Sequence, residues 1–212
     1  MSKAVTEVYF DFLCPYAWRG VELAGVLRQD GEAFALRHFS LVQGNHKENE
    51  KDVQWWLTDQ PLGEGDRFQQ QSLPAFLAAH AVREQGEEAT WRFTLALFRA
   101  HHEHKKPLDE AAIGEAAQQA GLDLGAFTAA REAEAGLRAS LRADLAEAHE
   151  IGVFGTPTFV RPDGSAAYFR LENLTRDAQE AREWWKLYGA VLDSPAGIAT
   201  IKRAKRRPAL KR

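Results

Sequence analysis

Residues 5–18 read Val5-Thr6-Glu7-Val8-Tyr9-Phe10-Asp11-Phe12-Leu13-Cys14-Pro15-Tyr16-Ala17-Trp18, and the fold turns on the change of character at Cys14. Val5 to Leu13 is rich in β-branched and aromatic residues, the composition of a buried strand. Pro15 suits the first position of a helix, where a missing N–H costs nothing. Ala17, Val21, Ala24 and Leu27 then recur at helical spacing, and Gly31 closes the segment. Phe34 to Leu41 reads as a second strand, so the opening of the chain is a β-α-β unit whose crossover makes the two strands parallel.

Further out, Ile151-Gly152-Val153-Phe154-Gly155-Thr156-Pro157-Thr158-Phe159-Val160 leads into another strand. The turn Arg161-Pro162-Asp163-Gly164-Ser165 follows, because Pro presets φ and Gly accepts positive φ. A partner strand over Ala166 to Leu171 makes an antiparallel hairpin, and Thr175 to Leu192 is a closing helix. Between the two halves, Gly44 to Gln71 is a polar excursion with some helix, interrupted by Trp55-Trp56-Leu57. Leu73 to about Glu150 is alanine-rich and helical. Four or five helices are expected there, punctuated by Gly86, Gly121 and Gly136, with Asp109 and Asp123 as N-caps. The order is β-α-β, helices, β-β-α. Residues 1–45 and 151–195 thus form an α/β domain, 46–150 an all-helical insertion, and 196–212 a basic tail.

Composition narrows the function. The 212 residues are 45% hydrophobic and 27% charged, which excludes collagenous and largely disordered classes. No apolar run approaches the ~20 residues of a membrane span, and the first ten residues carry no apolar secretory core, so a cytoplasmic address is expected. A net charge of −3 gives no reason for a nucleic-acid or membrane partner. The chain has one cysteine, so any thiol chemistry uses Cys14, and the second sulfur comes from outside. At the mouth of a helix that sulfur meets unpaired N–H groups and the positive end of the dipole, worth about 0.3–1 kcal/mol to a negative charge. Asp11 opposes this if its side chain faces the sulfur. The competing reading is a buried cysteine acting as a small hydrophobe. Thr156-Pro157 is likewise open at this level, because an ordinary edge-strand proline removes a ladder donor in the same place.

Taken together, a strand ending in F-D-F-x-C-P-Y-x-W, an alanine-rich helical insert, and G-V-F-G-T-P-T-F-V before a hairpin resemble the DsbA-like branch of the thioredoxin fold. That branch includes DsbA and FrnE-type thiol oxidoreductases, 2-hydroxychromene-2-carboxylate isomerases and kappa-class glutathione transferases. The resemblance covers roughly Val5 to Leu192. It implies a thioredoxin-like core with an all-helical insertion, Cys14 as the nucleophilic thiol, and Thr156-Pro157 as the cis-proline loop facing it. Pro15 and Tyr16 then stand beside the substrate, and Thr156 offers its backbone to an extended peptide or to glutathione. Two departures matter. Ala17 stands where the oxidoreductases carry a resolving cysteine, and Cys14 stands where the isomerases and transferases usually carry serine.

The reading that accommodates both is a monothiol oxidoreductase. In it Cys14 attacks a disulfide and an external thiol such as glutathione resolves the mixed disulfide. A glutathione-dependent isomerase or transferase is the first alternative, and a non-catalytic peptide-binding module the second. No resident cofactor or metal is expected, glutathione serves at most as co-substrate, and a homodimer is compatible with the sequence. His101, His102 and His104 invite a metal reading but have no second ligand cluster in the sequence. The Trp55-Trp56 and Trp184-Trp185 pairs read as packing. Tyr16 is either substrate-facing or a capping aromatic. Lys202, Arg203, Lys205, Arg206, Arg207, Lys211 and Arg212 form a solvated tail.

Overall fold

The computed structural model describes residues 4–202. Four strands form one mixed sheet in the order β2-β1-β3-β4. Strand β1 (Thr6–Phe10) runs parallel to β2 (Phe34–His38), in register from Thr6↔Phe34 to Phe10↔His38. It runs antiparallel to β3 (Thr158–Val160), which pairs antiparallel with β4 (Ala166–Tyr168) through the Pro-Asp-Gly turn. Both faces of β1 are covered. Val8 and Phe10 enter the main core, while Tyr9 packs with Phe39, Ala148, Val153 and Val160. This is why the strand lacks a polar face.

The strands are shorter than their apolar runs because side chains divert the backbone. Asp11 accepts the N–H groups of Leu13 (2.8 Å) and Leu41 (2.7 Å), which ends β1 at Phe10. Ser40 caps the short helix α2 (Leu41–Gly44) by accepting from Gln43 N, which ends β2 at His38. Helix α1 (Pro15–Gln29) buries Ala17, Val21, Leu23, Ala24 and Leu27, and the chain leaves it through Gly31 at φ 101°.

The helical region comprises α3 (Arg67–Val82), α4 (Glu87–Phe98), α5 (Glu110–Gln119), α6 (Leu124–Glu132) and α7 (Glu134–Ile151). A π-helical turn at Arg99–Glu103 extends α4. Asp109 and Asp123 cap as expected, accepting from Ala112 N and Ala126 N. Two expectations need correction. Helix α3 starts six residues before Leu73, because Asp66 and Gln69 form a capping box inside the polar stretch. Gly136 does not punctuate. It lies in the first turn of α7, and the break falls on Ala133 (φ −78°, ψ 42°). Helix α8 (Ala178–Leu192), capped by Asp177, lays Trp185 edge-on against Phe34 and Phe159, and Tyr188 donates to Phe159 O at 2.8 Å. Of the basic tail, residues from Arg203 onward lie outside the described residues.

Two buried polar clusters tie the helical region to the sheet and to α1. The Glu22 carboxylate, 2% exposed, binds Arg99 and Arg176 through contacts of 2.7–3.3 Å. Burial works against its charge, and the two guanidinium hydrogen bonds outweigh burial and hold it ionised. The second cluster joins His38 of β2, His80 of α3 and Asp144 of α7. His38 Nδ1 lies 2.9 Å from His80 Nε2 and 3.3 Å from Asp144 Oδ2, and Arg83 donates to Asp144 at 2.6 Å. Burial pushes His38 down to about 4, leaving it neutral.

Candidate active site

Cys14 is the N-cap of α1, with extended backbone (φ −91°, ψ 115°). Pro15 takes the first helical position, so the first-turn N–H that meets the sulfur is that of Ala17, donating at 3.4 Å. The thiol in turn donates to Thr156 O at 3.3 Å, across 142 residues of sequence. The Thr156–Pro157 peptide is cis. Cys14 and Thr156 are therefore in contact, with Pro157 beside them. The Thr156 carbonyl expected to serve a substrate is occupied by the thiol here, while the buried Thr156 hydroxyl has no hydrogen-bond partner among the described residues.

Gly20 sets the closeness of this approach, and the sequence patterns did not single it out. A Cβ on Gly20 would stand 2.5 Å from Pro157 Cγ and 2.7 Å from Pro157 Cβ. Nearly two turns of helix beyond the thiol, the bare backbone of α1 seats the proline ring. Asp11, the suspected opponent of the thiolate, directs its two oxygens to Leu13 and Leu41 rather than to sulfur. Burial raises its carboxyl to about 6.

Around Cys14, which is 6% exposed, lies a rim of aromatic and cationic side chains. The Tyr16 ring carries the Arg170 guanidinium 3.6 Å from its centroid and that of Arg19 at 5.3 Å, and Arg170 also donates to the Tyr16 hydroxyl. Arg170 comes alongside because Phe169 N donates to Pro157 O, so the chain leaving β4 runs beside the proline loop. Phe154 stands 76% exposed before Gly155-Thr156, edge-on to Tyr168 at 5.6 Å. Trp18 turns away from the opening, stacking on His102 and donating to Glu22.

The remaining sequence candidates fall outside this rim. His102 Nε2 contacts Phe12 O at 2.7 Å, and His101 Nδ1 contacts Lys106 O at 2.9 Å. The two rings meet edge to face at 4.6 Å, but each spends a ring nitrogen on a backbone carbonyl and so braces the π turn. Among the described residues, the His/Asp group with metal-ligand spacing is His38, His80 and Asp144, which the sequence could not join because it spans three elements. The positive charges facing Asp144 there are the guanidiniums of Arg83 at 2.6 Å and Arg37 at 3.7 Å. Trp55 stacks on His46, and Trp56 lies under Arg142.

With this geometry established, comparison with known proteins is informative. The family model for the DSBA-like thioredoxin domain matches residues 5–179. The chain belongs to the DsbA-like thioredoxin family. Solved structures agree on the fold. The cytosolic disulfide reductase DsbM of Pseudomonas aeruginosa superposes with a TM-score of 0.58 at 19% identity, covering 87% of this chain and 98% of DsbM. A 2-hydroxychromene-2-carboxylate isomerase gives 0.59 at 18% identity, covering 90% and 100%. The thiol-disulfide exchange protein alpha-DsbA2 of Wolbachia pipientis gives 0.57 at 18%, covering 88% and 82%. No curated protein sequence matches the chain significantly. As a DsbA-like protein the chain has both oxidoreductase and isomerase neighbours, and its thioredoxin-like core with inserted helices is the architecture they share. No helix among the described residues is long and apolar enough to cross a membrane.

Proposed function

We propose that the protein is a monothiol thiol–disulfide oxidoreductase with Cys14 as nucleophile. The observation that carries this reading is a lone sulfur at a helix N-cap, touched by Ala17 N–H and facing the Thr156 carbonyl beside Pro157. A buried structural cysteine has no need of that position. In the first half-reaction the Cys14 thiolate attacks one sulfur of a disulfide. A new S–S bond forms, the old one breaks, and the partner leaves as a thiolate. An external thiolate such as glutathione then attacks the mixed disulfide, restores Cys14 and leaves joined to the other substrate sulfur; a second thiolate attacking that disulfide releases the sulfur and completes the transfer of two electrons from two thiols to the substrate. Ala17 offers no internal sulfur to compete. Pro15 and Tyr16 flank the incoming disulfide, and Thr156, once its carbonyl is released by the thiolate, binds the substrate backbone beside Pro157. An unpaired thiol suits a reducing compartment, in keeping with the cytosolic neighbour DsbM, which has also been solved with GSH.

Incubation with oxidised glutathione should add one glutathionyl group to the protein, removable by reduced glutathione, and Cys14→Ser should abolish it. Turnover retained by Cys14→Ser would overturn the reading. It would favour the glutathione-dependent isomerase or transferase suggested by the isomerase neighbour and the missing second cysteine. In that chemistry glutathione's own sulfur reacts, and a hydroxyl at residue 14 suffices to hold it.

A further inference from the structure

The thiol has an electrostatic neighbourhood that exchange chemistry alone does not require. Two guanidiniums, from Arg19 on α1 and Arg170 after β4, converge on the ring of Tyr16, two residues from the sulfur. The ring thereby gathers two positive charges, which together attract a negative group. The protein supplies little. Arg19 Nη1 donates to Leu171 O at 3.1 Å, and no carboxylate among the described residues is ion-paired with Arg19. Arg170 meets Glu172 at 3.2 Å, a solvent-exposed pair of the kind that contributes little. Tyr168 stands between this pair of cations and the thiol, within electrostatic reach of Arg170, Cys14 and Tyr16. Two further features mark an unfilled site. The Thr156 hydroxyl is buried without a partner among the described residues, and Phe154 is left 76% exposed nearby.

Resting on the thiol reading above, we infer that Arg19 and Arg170 form a carboxylate clamp, which makes the substrates of Cys14 low-molecular-mass disulfides and thiols that carry a carboxylate near their sulfur. The anion displaces Glu172 and bridges the two guanidiniums, and the planar fork of arginine suits a carboxylate for this. The apolar part of the substrate lies against Phe154 and Tyr168, and its sulfur is delivered to Cys14. Small size follows from the recessed sulfur, because the recognition groups crowd one short rim around it. The clamp changes which disulfide arrives and leaves the electron balance of the exchange unaltered.

The test compares disulfides of opposite charge. Mixed-disulfide formation at Cys14 is timed with dithiobis-nitrobenzoate (anionic) and cystamine (cationic), with neutral iodoacetamide as a third reagent. Binding of S-methylglutathione, which has carboxylates and no reactive sulfur, is measured separately by calorimetry. The native protein should prefer the anionic disulfide. Arg170→Gln and Arg19→Gln should each weaken that preference about tenfold, the effect of one lost charge-assisted hydrogen bond, and should weaken S-methylglutathione binding equally. Arg170→Lys should recover part of both. An anion-to-cation preference and S-methylglutathione binding untouched by either substitution would overturn the clamp while leaving the thiol reading intact. Inertness of Cys14 to all three reagents, with S-methylglutathione binding still dependent on Arg170, would instead overturn the thiol reading and retain the anion site. Because Arg170 is exposed and Arg19 is half-buried, thermal melts should show both variants folded.

Discussion

Replacing Gly20 by alanine tests the packing on which the candidate site depends. The new Cβ would lie 2.5 and 2.7 Å from two ring carbons of Pro157 and 3.5 Å from Phe159 Cζ. None of these is the loose end of a flexible side chain, so α1 or the proline loop has to move. Overpacking of this kind costs about 1–3 kcal/mol. A helix-interior Gly→Ala change by itself gains about 0.8–1 kcal/mol, so the raw effect of Gly20→Ala understates the clash. Gly114→Ala supplies the reference. It lies within α5 with no atom within 4 Å of its Cβ position, and should be stabilised by the propensity gain alone. The difference between the two variants should therefore be about 1–3 kcal/mol in urea unfolding. That is about 2–12 °C in melting temperature for a chain of this size. The same displacement should lengthen the 3.3 Å contact between Cys14 and Thr156 and change the alkylation rate of the thiol. If Gly20→Ala is stabilised as much as Gly114→Ala and its thiol reacts at the native rate, the packing of α1 on Pro157 does not set the site.

Other expectations follow from the buried polar groups. Burial holds His38 and His102 near 4, below the ~6.5 of an unfolded chain. As the pH drops from about 6.5 to 4 the unfolded state takes up their protons first, and stability is lost. His80, which burial also holds neutral, adds to the loss, while Asp11, raised to about 6 by burial, works the other way; one carboxyl against three imidazoles leaves a net loss of about 2–3 kcal/mol per pH unit. Urea midpoints at several pH values across this range read the slope, and a midpoint rising with acid would contradict it. Glu22→Gln removes the charge shared by Arg99 and Arg176 and should cost about 1.5–3 kcal/mol, kept below a fully buried pair by the half-exposed arginines. An equilibrium change under about 0.5 kcal/mol, the range of an ordinary surface substitution, would show that the network is not stabilising. Tyr188→Phe deletes the hydroxyl that donates to Phe159 O at 2.8 Å. It should cost about 1–3 kcal/mol, the penalty for an unpaired buried acceptor, with an unchanged m-value. An unaltered urea midpoint would mean that water takes the hydroxyl's place.

Much of this architecture depends on interactions within a few residues, and for that reason the sequence alone determined it. The strand-to-helix change at Cys14-Pro15, the caps at Asp109 and Asp123, the stop at Gly31 and the Pro162-Asp163-Gly164 hairpin each follow from local backbone chemistry. The early start of α3 was also local, since the Asp66–Gln69 capping box can be read from spacing once the polar stretch is scanned for it. Gly136 misled because a glycine that ends a helix and one tolerated in a first turn look alike until the φ angles are known. The candidate site belongs to the other class. Composition nominated Cys14, and the family resemblance set Thr156-Pro157 opposite it, but neither showed that the sulfur meets the Thr156 carbonyl, that Gly20 is bare to admit Pro157, or that Arg170 settles on Tyr16. The partnership of His38, His80, Asp144 and Arg83 was equally invisible. Each of these joins residues dozens of positions apart, and no periodicity records which of many distant groups will share a site. Only the packing of α1 against the proline loop, and of the helices against β2, decides those pairings, because close approach of two surfaces is a property of the folded chain.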